Sequence, residues 1–484
     1  MNVKTNILFS GILTLTTYIF PLITFPYISR VLGVEGVGIC NFVDSIIHYF
    51  TMFSMMGIST IGIREISKNK NKPIERSKVF FNLLTLNLLT TILACIILIA
   101  CMLFVPKLHA YQNMLWIGVA KIICNTLLIE WLYKGVEDFR YITIRSLIIR
   151  ILYVVSVFLF IKNPADYPIY FALTTGMVVA NAFINMFHCR KLVSFNWKYI
   201  KIQSSHLKSF ITLGAYQFLT SMYISFNVTF LGFVSNDIEV GYYTTATKLF
   251  TIILSLFTAF TSVMLPRMSS IISEGNISVF KSYLSKSQEA LFVFVLPLIV
   301  ICEVFAPTII NIIAGGNYEG AITPMRIISP LLLIIGIEQI LIVQILTPLK
   351  QDKAILINSI IGATLSVIFN IALVPQYKSI GSSIVWVICE VAVMISAIVF
   401  VRRKVAFDFR WKAFVGRIIT CIVLFFFAIY IKITITSDFV ALLLGSIIVV
   451  FLYCCVEYVL FKNSVLVNIL NTIKTKCIEL FQSR

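Results

Sequence analysis

Charge is what this chain has least of. Only 12% of its 484 residues are Asp, Glu, Lys or Arg, while 59% are hydrophobic, against about 25% charged residues in an ordinary soluble domain. A soluble protein of this length has no interior large enough to bury so much apolar surface. Histidine is scarce as well: His48, His109, His188 and His206 stand far apart and form no zinc pattern. The eleven cysteines lie singly, apart from Cys454 and Cys455, and have no C-x-x-C spacing, so they read as packing residues. The chain also has no G-x-x-x-x-G-K-[ST] phosphate loop with which to hydrolyse ATP itself. No metal, cofactor or enzymatic chemistry is expected.

What is abundant is apolar sequence in membrane-length runs. A transmembrane helix needs about 20 mostly apolar residues. Fourteen such runs are expected, near 6–28, 38–62, 79–105, 114–133, 147–161, 169–189, 210–234, 241–266, 289–314, 321–346, 354–375, 380–401, 414–435 and 438–461. The first is too long for a signal-peptide core and lacks a small-x-small cleavage site, so it is expected to be a retained span.

The 39 basic residues exceed the 21 acidic ones, for a net charge of +18. Their placement accounts for the excess. With sides assigned alternately, 30 fall on one face of the membrane and five, Arg30, Lys107, Lys162, Lys378 and Lys432, on the other. The positive-inside rule then places both termini in the cytoplasm. The basic loops have no folded domain to present them, so no nucleic-acid partner is expected. The outward loops are short, which counts against a glycosyltransferase or polysaccharide polymerase. A transporter is the reading that remains.

A shift of 203 residues superposes the first two spans on the seventh and eighth. Gly11 meets Gly214, Thr17 meets Thr220, Val37-Gly38 meets Val240-Gly241 and Arg64 meets Arg267. Six spans separate the copies, which predicts two six-helix halves as parallel repeats. The expected organisation is an N-terminal lobe over 1–209, a C-terminal lobe over 210–413, and two further spans with a cytoplasmic tail over 414–484.

The polar faces superpose too. Ser10, Thr14, Thr17 and Thr24 share a helix face, repeated by Gln217, Thr220 and Asn227. Thr244, Lys248, Thr251, Ser255, Thr258 and Ser262 run the length of the eighth span, and Asn41, Asp44, Ser45, His48 and Thr51 open the second. Helix packing uses Ser and Thr in this way, but a full-length stripe containing a lysine predicts a water-filled cavity.

Charges within spans are costly and usually face a cavity or a partner. Lys121, Arg150, Lys248 and Arg326 are the basic ones. Long basic side chains can instead snorkel to the headgroups, which is the expectation for Arg150. Asp44, at the depth of Lys248, is a candidate partner for it across the two halves. Asp44, His48, Glu303, Glu338 and Glu390 are the candidates for coupling to an ion. Prolines at 21 and 26, 297 and 307, and 324 and 330 are expected to break the first, ninth and tenth spans.

Several segments resemble the polysaccharide repeat-unit flippases, the Wzx-type O-antigen transporters of the multidrug/oligosaccharidyl-lipid/polysaccharide exporter superfamily. These are Phe25-Pro-Tyr-Ile-Ser-Arg-Val-Leu-Gly33 with Gly36-Val-Gly38, Trp131-Leu-Tyr-Lys-Gly-Val-Glu137, Val240-Gly-Tyr-Tyr-Thr-Thr-Ala-Thr-Lys248, Leu265-Pro-Arg267, Gly316-Asn-Tyr-Glu-Gly-Ala321 and Pro375-Gln-Tyr-Lys-Ser-Ile-Gly381. The resemblance implies an all-α polytopic fold of about 14 helices, two lobes around a central cavity, in a bacterial inner membrane. It implies alternating-access movement of an undecaprenyl-diphosphate-linked oligosaccharide among membrane lipids, with a polymerase and a chain-length regulator as further partners. For such a substrate Lys248, Lys121 and Arg326 would attract the diphosphate, with Arg30 at the outer mouth. Asn41, Gln217, Asn227, Thr244, Thr251 and Ser255 would contact sugar. A multidrug or cation exporter of the same superfamily, or a lipid-linked peptidoglycan precursor transporter, is the alternative within transport.

Overall fold

The computed structural model describes residues 3–196, 199, 214, 225–404 and 411–467, with the side chains of 3–8, 10, 15, 18 and 411–413 outside the description. Every described element of regular structure is helical. Ten helices are long and apolar enough to cross a membrane, or eleven when the bent pair Gly316–Ile328 and Leu331–Leu346 is taken as one span. Sequence reading expects about 14. The difference arises because two continuous helical stretches each run through two expected spans, and because the run 210–234 is described mainly at Ser225–Val234.

The chain divides into two compact units, Met1–Thr244 and Thr245–Arg484. The first contains α1 (Val3–Met55), α2 (Ile58–Lys68), α3 (Pro73–Phe104), α4 (Gln112–Thr126), α5 (Glu130–Gly135), α6 (Phe139–Phe160), α7 (Tyr167–Cys189), α8 (Ser225–Val234) and the first two turns of α9 (Asp237–Ser273). At 1.5 Å per residue a straight α1 would measure about 80 Å, more than twice the hydrocarbon core. It departs from helical geometry at Gly33, with φ 69°, a conformation that glycine adopts without steric cost. The break is therefore at Gly33 and not at Pro21 or Pro26, which lie within the helical stretch.

The first unit is held by an apolar cluster in which Ile58, Ile61, Phe80, Leu83, Trp131 and Leu132 bring α2, α3 and α5 together. Polar contacts fix the register. Ser54, Thr91 and Thr126 from α1, α3 and α4 form a buried hydroxyl triad with separations of 2.6, 2.6 and 3.2 Å. Arg150, expected to snorkel, instead donates to Thr16 Oγ1 on α1.

The second unit contains the rest of α9, then α10 (Ile277–Ile313), α11 (Ile322–Ile328), α12 (Leu331–Gln339), a π-helical segment (Ile340–Leu346), α13 (Asp352–Arg402), α14 (Trp411–Thr434) and α15 (Asp438–Val459). A Cβ on Gly381 would lie 3.1 Å from the backbone carbon of Leu373. Residues eight apart in a straight helix are about 12 Å apart, so α13 doubles back at Lys378, which has φ 48°. Pro297 and Pro307 lie within α10 without breaking it. The tenth expected span does break, at Ser329-Pro330, with a 45° bend. Phe292, Leu296, Val300 and Phe305 of α10 pack against Leu424, Ala428, Ala441 and Tyr453 of α14 and α15.

Candidate functional site

In the first unit, the second half of α1 presents Asp44 and His48 exposed and Asn41 half-buried at helical spacing, while Ser45 is turned inward. Lys121 of α4 meets this face. Its ammonium forms an ion pair with Asp44 and lies 5.5 Å from the Phe171 ring centroid. The Asp44 side chain is 51% exposed and that of Lys121 20%. In a helix of membrane length, a carboxylate this open requires water beside it. Asp44 is thus paired with Lys121.

The two segments related by the 203-residue shift meet within the same unit. A Cβ on Gly38 would clash with the carbonyl oxygen of Asp237 and lie 2.7 Å from its carbon. A Cβ on Gly241 would clash with the Val34 carbonyl oxygen and lie 3.0 Å from its carbon. The pairs 34 and 237, and 38 and 241, are each 203 residues apart. Each glycine therefore sits on the carbonyl equivalent to the one its counterpart covers, the reciprocity of a local two-fold axis. Around this crossing, Thr229 Oγ1 donates to Ser45 Oγ at 2.8 Å, Tyr111 donates to both Asp237 carboxylate oxygens at 2.9 Å, and Lys107 Nζ donates to the Ser235 carbonyl at 2.9 Å. The Phe42 ring lies 5.2 Å from Tyr111 and 5.4 Å from Phe233. The shift was legible in the sequence, but the backbone contact was not.

Other expected residues are dispersed. Arg30 is exposed on α1. Asn227 is buried and donates to Tyr243 Oη at 3.2 Å. Gln217, Thr220 and the Ser10 side chain lie outside the described residues. Thr244 is buried and donates to the Val240 carbonyl. In the second unit, Lys248 is half-buried on α9, with Thr251 exposed one turn on. The hydroxyls of Thr251, Ser255, Thr258 and Ser262 donate to carbonyls three or four residues back. This satisfies their donors within the helix and leaves oxygen lone pairs as acceptors. Ser255 is buried, and Thr258 and Thr261 are tied to Gln339 at 2.9 and 3.1 Å, so only part of the stripe is open.

Among the acidic candidates of the second unit, Glu303 accepts a hydrogen bond from Ser329, and Arg326 Nε donates to the Glu303 carbonyl at 3.0 Å. Glu338 and Glu390 lie beside one another. Both are buried, Trp386 Nε1 donates to Glu390 Oε1 at 2.9 Å, and Glu338 Oε2 has no partner. The π-helical segment starts immediately after this site, and such segments are frequent at functional sites. Among the described residues no group of three metal-ligating side chains occurs.

Known proteins resemble this chain in sequence and in fold. A protein of Escherichia coli K12 named "Putative O-antigen transporter" is 23% identical over 409 residues, covering 84% of this chain and 98% of its own length. A Shigella dysenteriae protein of the same name is 23% identical over 399 residues, covering 81% and 98%. The fold is shared with the lipid II flippase MurJ in an inward closed conformation, with a TM-score of 0.71, 16% identity, and coverage of 93% of this chain and 99% of that one. It is also shared with an inward-facing multidrug resistance MATE transporter of the MOP superfamily, with a TM-score of 0.61, 15% identity, and coverage of 78% and 92%. Residues 3–272, more than half of the chain, match the family described as polysaccharide biosynthesis protein, and the chain belongs to that family.

Proposed function

We propose that this protein is a flippase that carries undecaprenyl-diphosphate-linked oligosaccharide repeat units from the cytoplasmic to the periplasmic leaflet of the bacterial inner membrane, for O-antigen, capsule or exopolysaccharide synthesis. The observation that carries the proposal is the open Asp44–Lys121 pair on a polar helix face of membrane length. Such a pair belongs beside a water-filled cavity and not beside lipid. The names of the O-antigen transporter relatives and the fold shared with a lipid II flippase support a lipid-linked cargo. The basic loops support cytoplasmic termini.

The cargo's chemistry suits the residues. A diphosphate is held by charge-assisted bonds from ammonium and guanidinium groups. Lys248 is the foremost of these, because it sits on the repeated polar helix. Lys121 shares its charge with Asp44, so an arriving diphosphate would compete for it. The exposed Arg326 and Arg30 extend the basic path. Hydroxyl and amide groups at Asn41, Thr251 and their neighbours face the sugars, and the polyprenyl tail stays in lipid. The Gly38–Gly241 crossing closes the outer ends in one half of the cycle and parts in the other. The Glu338–Glu390 pair is the site at which a proton drives the return.

Replacing Lys248 with Ala removes one charge-assisted contact, worth about 1.5–3 kcal/mol. Export should fall by at least about tenfold, and lipid-linked oligosaccharide should accumulate on the inner leaflet of cells whose only copy is the variant. Unchanged export at normal protein levels contradicts the assignment.

A further inference from the structure

A groove of about 840 Å³ opens between α3 and α7, where α3 begins and α7 ends. Its floor is made of the buried side chains Phe80, Leu84, Cys189 and Val193, and Phe183 and Phe187 stand along it 69% and 72% exposed. From Phe80 to Leu88 it follows α3 for about 12 Å, close to the ~15 Å depth of one leaflet. The segment 190–195 crosses from α7 to α3 and closes one end. Arg76 Nε donates to the Leu192 carbonyl and the Ser194 amide donates to Ser77 Oγ, each at 3.0 Å, and the Phe195 ring lies 5.3 Å from Phe81.

Polar groups gather at that closed end. Farther along the groove, Thr85 commits its hydroxyl proton to the Phe81 carbonyl at 2.7 Å. Arg190 and Ser194 line the closed end and are exposed, with the exposed Lys191 next in the chain. The Arg190 guanidinium carbon lies 5.7 Å from the Phe187 ring centroid, which holds its charge over the groove. Lys78, one turn before Phe81 on the same face of α3, adds a cation that is shared with Glu75 at 2.7 Å. Among the described residues no carboxylate lines the groove.

A groove that is apolar along its length and cationic at one end complements a lipid with an anionic head. A peptide laid in it would find few partners for its backbone groups. A zwitterionic lipid would bring an ammonium of its own toward Arg190. The positive-inside rule makes this the cytoplasmic end, and basic pockets between spans on that side take anionic headgroups.

We infer that this groove binds one anionic phospholipid of the inner leaflet, with an acyl chain along Phe183, Phe187 and Leu88 and the phosphate on Arg190 and Ser194. The site is separate from the cargo contacts and does not depend on the flippase reading.

Native mass spectrometry of the delipidated full chain tests it with two probes, phosphatidylglycerol and phosphatidylcholine of the same acyl chains. One phosphatidylglycerol should be retained about tenfold more tightly than phosphatidylcholine. Arg190→Gln should remove that preference, and Phe187→Ala should weaken both lipids several-fold. Lys72→Gln takes a charge from the same end outside the groove and should leave the preference intact. All three positions are exposed, and melting curves confirm the fold of each variant. A diazirine midway along the acyl chain of phosphatidylglycerol should crosslink to the peptides carrying residues 80–88 or 183–187. Equal retention of the two lipids, an equal loss in Lys72→Gln and Arg190→Gln, or crosslinks confined to other helices would overturn the site. Tighter retention of farnesyl diphosphate than of phosphatidylglycerol, lost in Arg190→Gln, would overturn the phospholipid assignment in favour of a polyprenyl lipid.

Discussion

Replacing Gly38 with valine should abolish transport and leave a folded protein in which α1 and the start of α9 stay apart at this crossing. The added Cβ would meet the backbone of one turn of α9, 2.7 Å from the Asp237 carbon and 3.0 Å from the Gly241 nitrogen. Neither can swing aside as a side chain would. The clash belongs at or above the top of the ~1–3 kcal/mol range for overpacked sites, and 3 kcal/mol shifts a closed-to-open ratio by about a hundredfold. Gly241→Val should do the same, because Val34 occupies the equivalent place. Gly176→Ala is the control, since a Cβ there meets nothing within 4 Å. Thr229 is bonded to Ser45 beside this crossing, so a cysteine at Thr229 should label far faster in Gly38→Val than in the Gly176→Ala control. Full transport by Gly38→Val would show that closure of this crossing is not part of the cycle.

The second large effect lies in the attachment of α14 and α15 to α10. Arg417 Nε and Nη2 donate to Glu457 Oε1 and Oε2 at 2.6 and 3.0 Å, and Glu457 is fully buried. Tyr453 and Asn463 donate to the same carboxylate at 2.8 and 3.0 Å. The guanidinium carbon lies 4.9 and 4.8 Å from the Phe292 and Phe461 ring centroids. Arg417→Ala strands a buried carboxylate, which in general costs about 3–5 kcal/mol. It should lower the melting temperature in detergent more than any surface substitution. The double variant Arg417→Met with Glu457→Leu should recover most of that loss, because replacing both charges by apolar groups of similar volume is often near neutral. Equal destabilisation of the single and double variants would mean that packing, and not the stranded charge, sets the cost.

Much of this was legible in the residues, for physical reasons. Membrane spans announce themselves by length and apolarity, so the helical class and most span positions follow from the chain alone. The repeat was visible because Val37-Gly38 and Val240-Gly241 answer to a close helix crossing, which tolerates no Cβ. Bends were less legible. Pro21 and Pro26 pointed to a break that falls at Gly33, since neighbouring groups can satisfy the carbonyls a proline frees while the dihedral change goes to glycine.

Partner choice was the least legible. Asp44 could be placed on a polar face, but its pairing with Lys121, 77 residues away, depends on how α4 packs against α1. Glu338 and Glu390 were single candidates until packing set them side by side. Arg417 and Glu457 lie near the ends of the last two expected spans, and nothing local in the sequence signals that, 40 residues apart, they share a buried bidentate bond.

Transport by the purified chain is the direct measure of the central claim. The protein is reconstituted in liposomes with a polyprenyl-diphosphate-linked oligosaccharide on the outer leaflet, and loss of that oligosaccharide to an external lectin is followed with time. The account predicts rapid protein-dependent disappearance by the wild type, at least about tenfold slower movement in Lys248→Ala and none in Gly38→Val. Folded wild-type protein that leaves the oligosaccharide on the outer leaflet, or that moves it equally in all three forms, would contradict it.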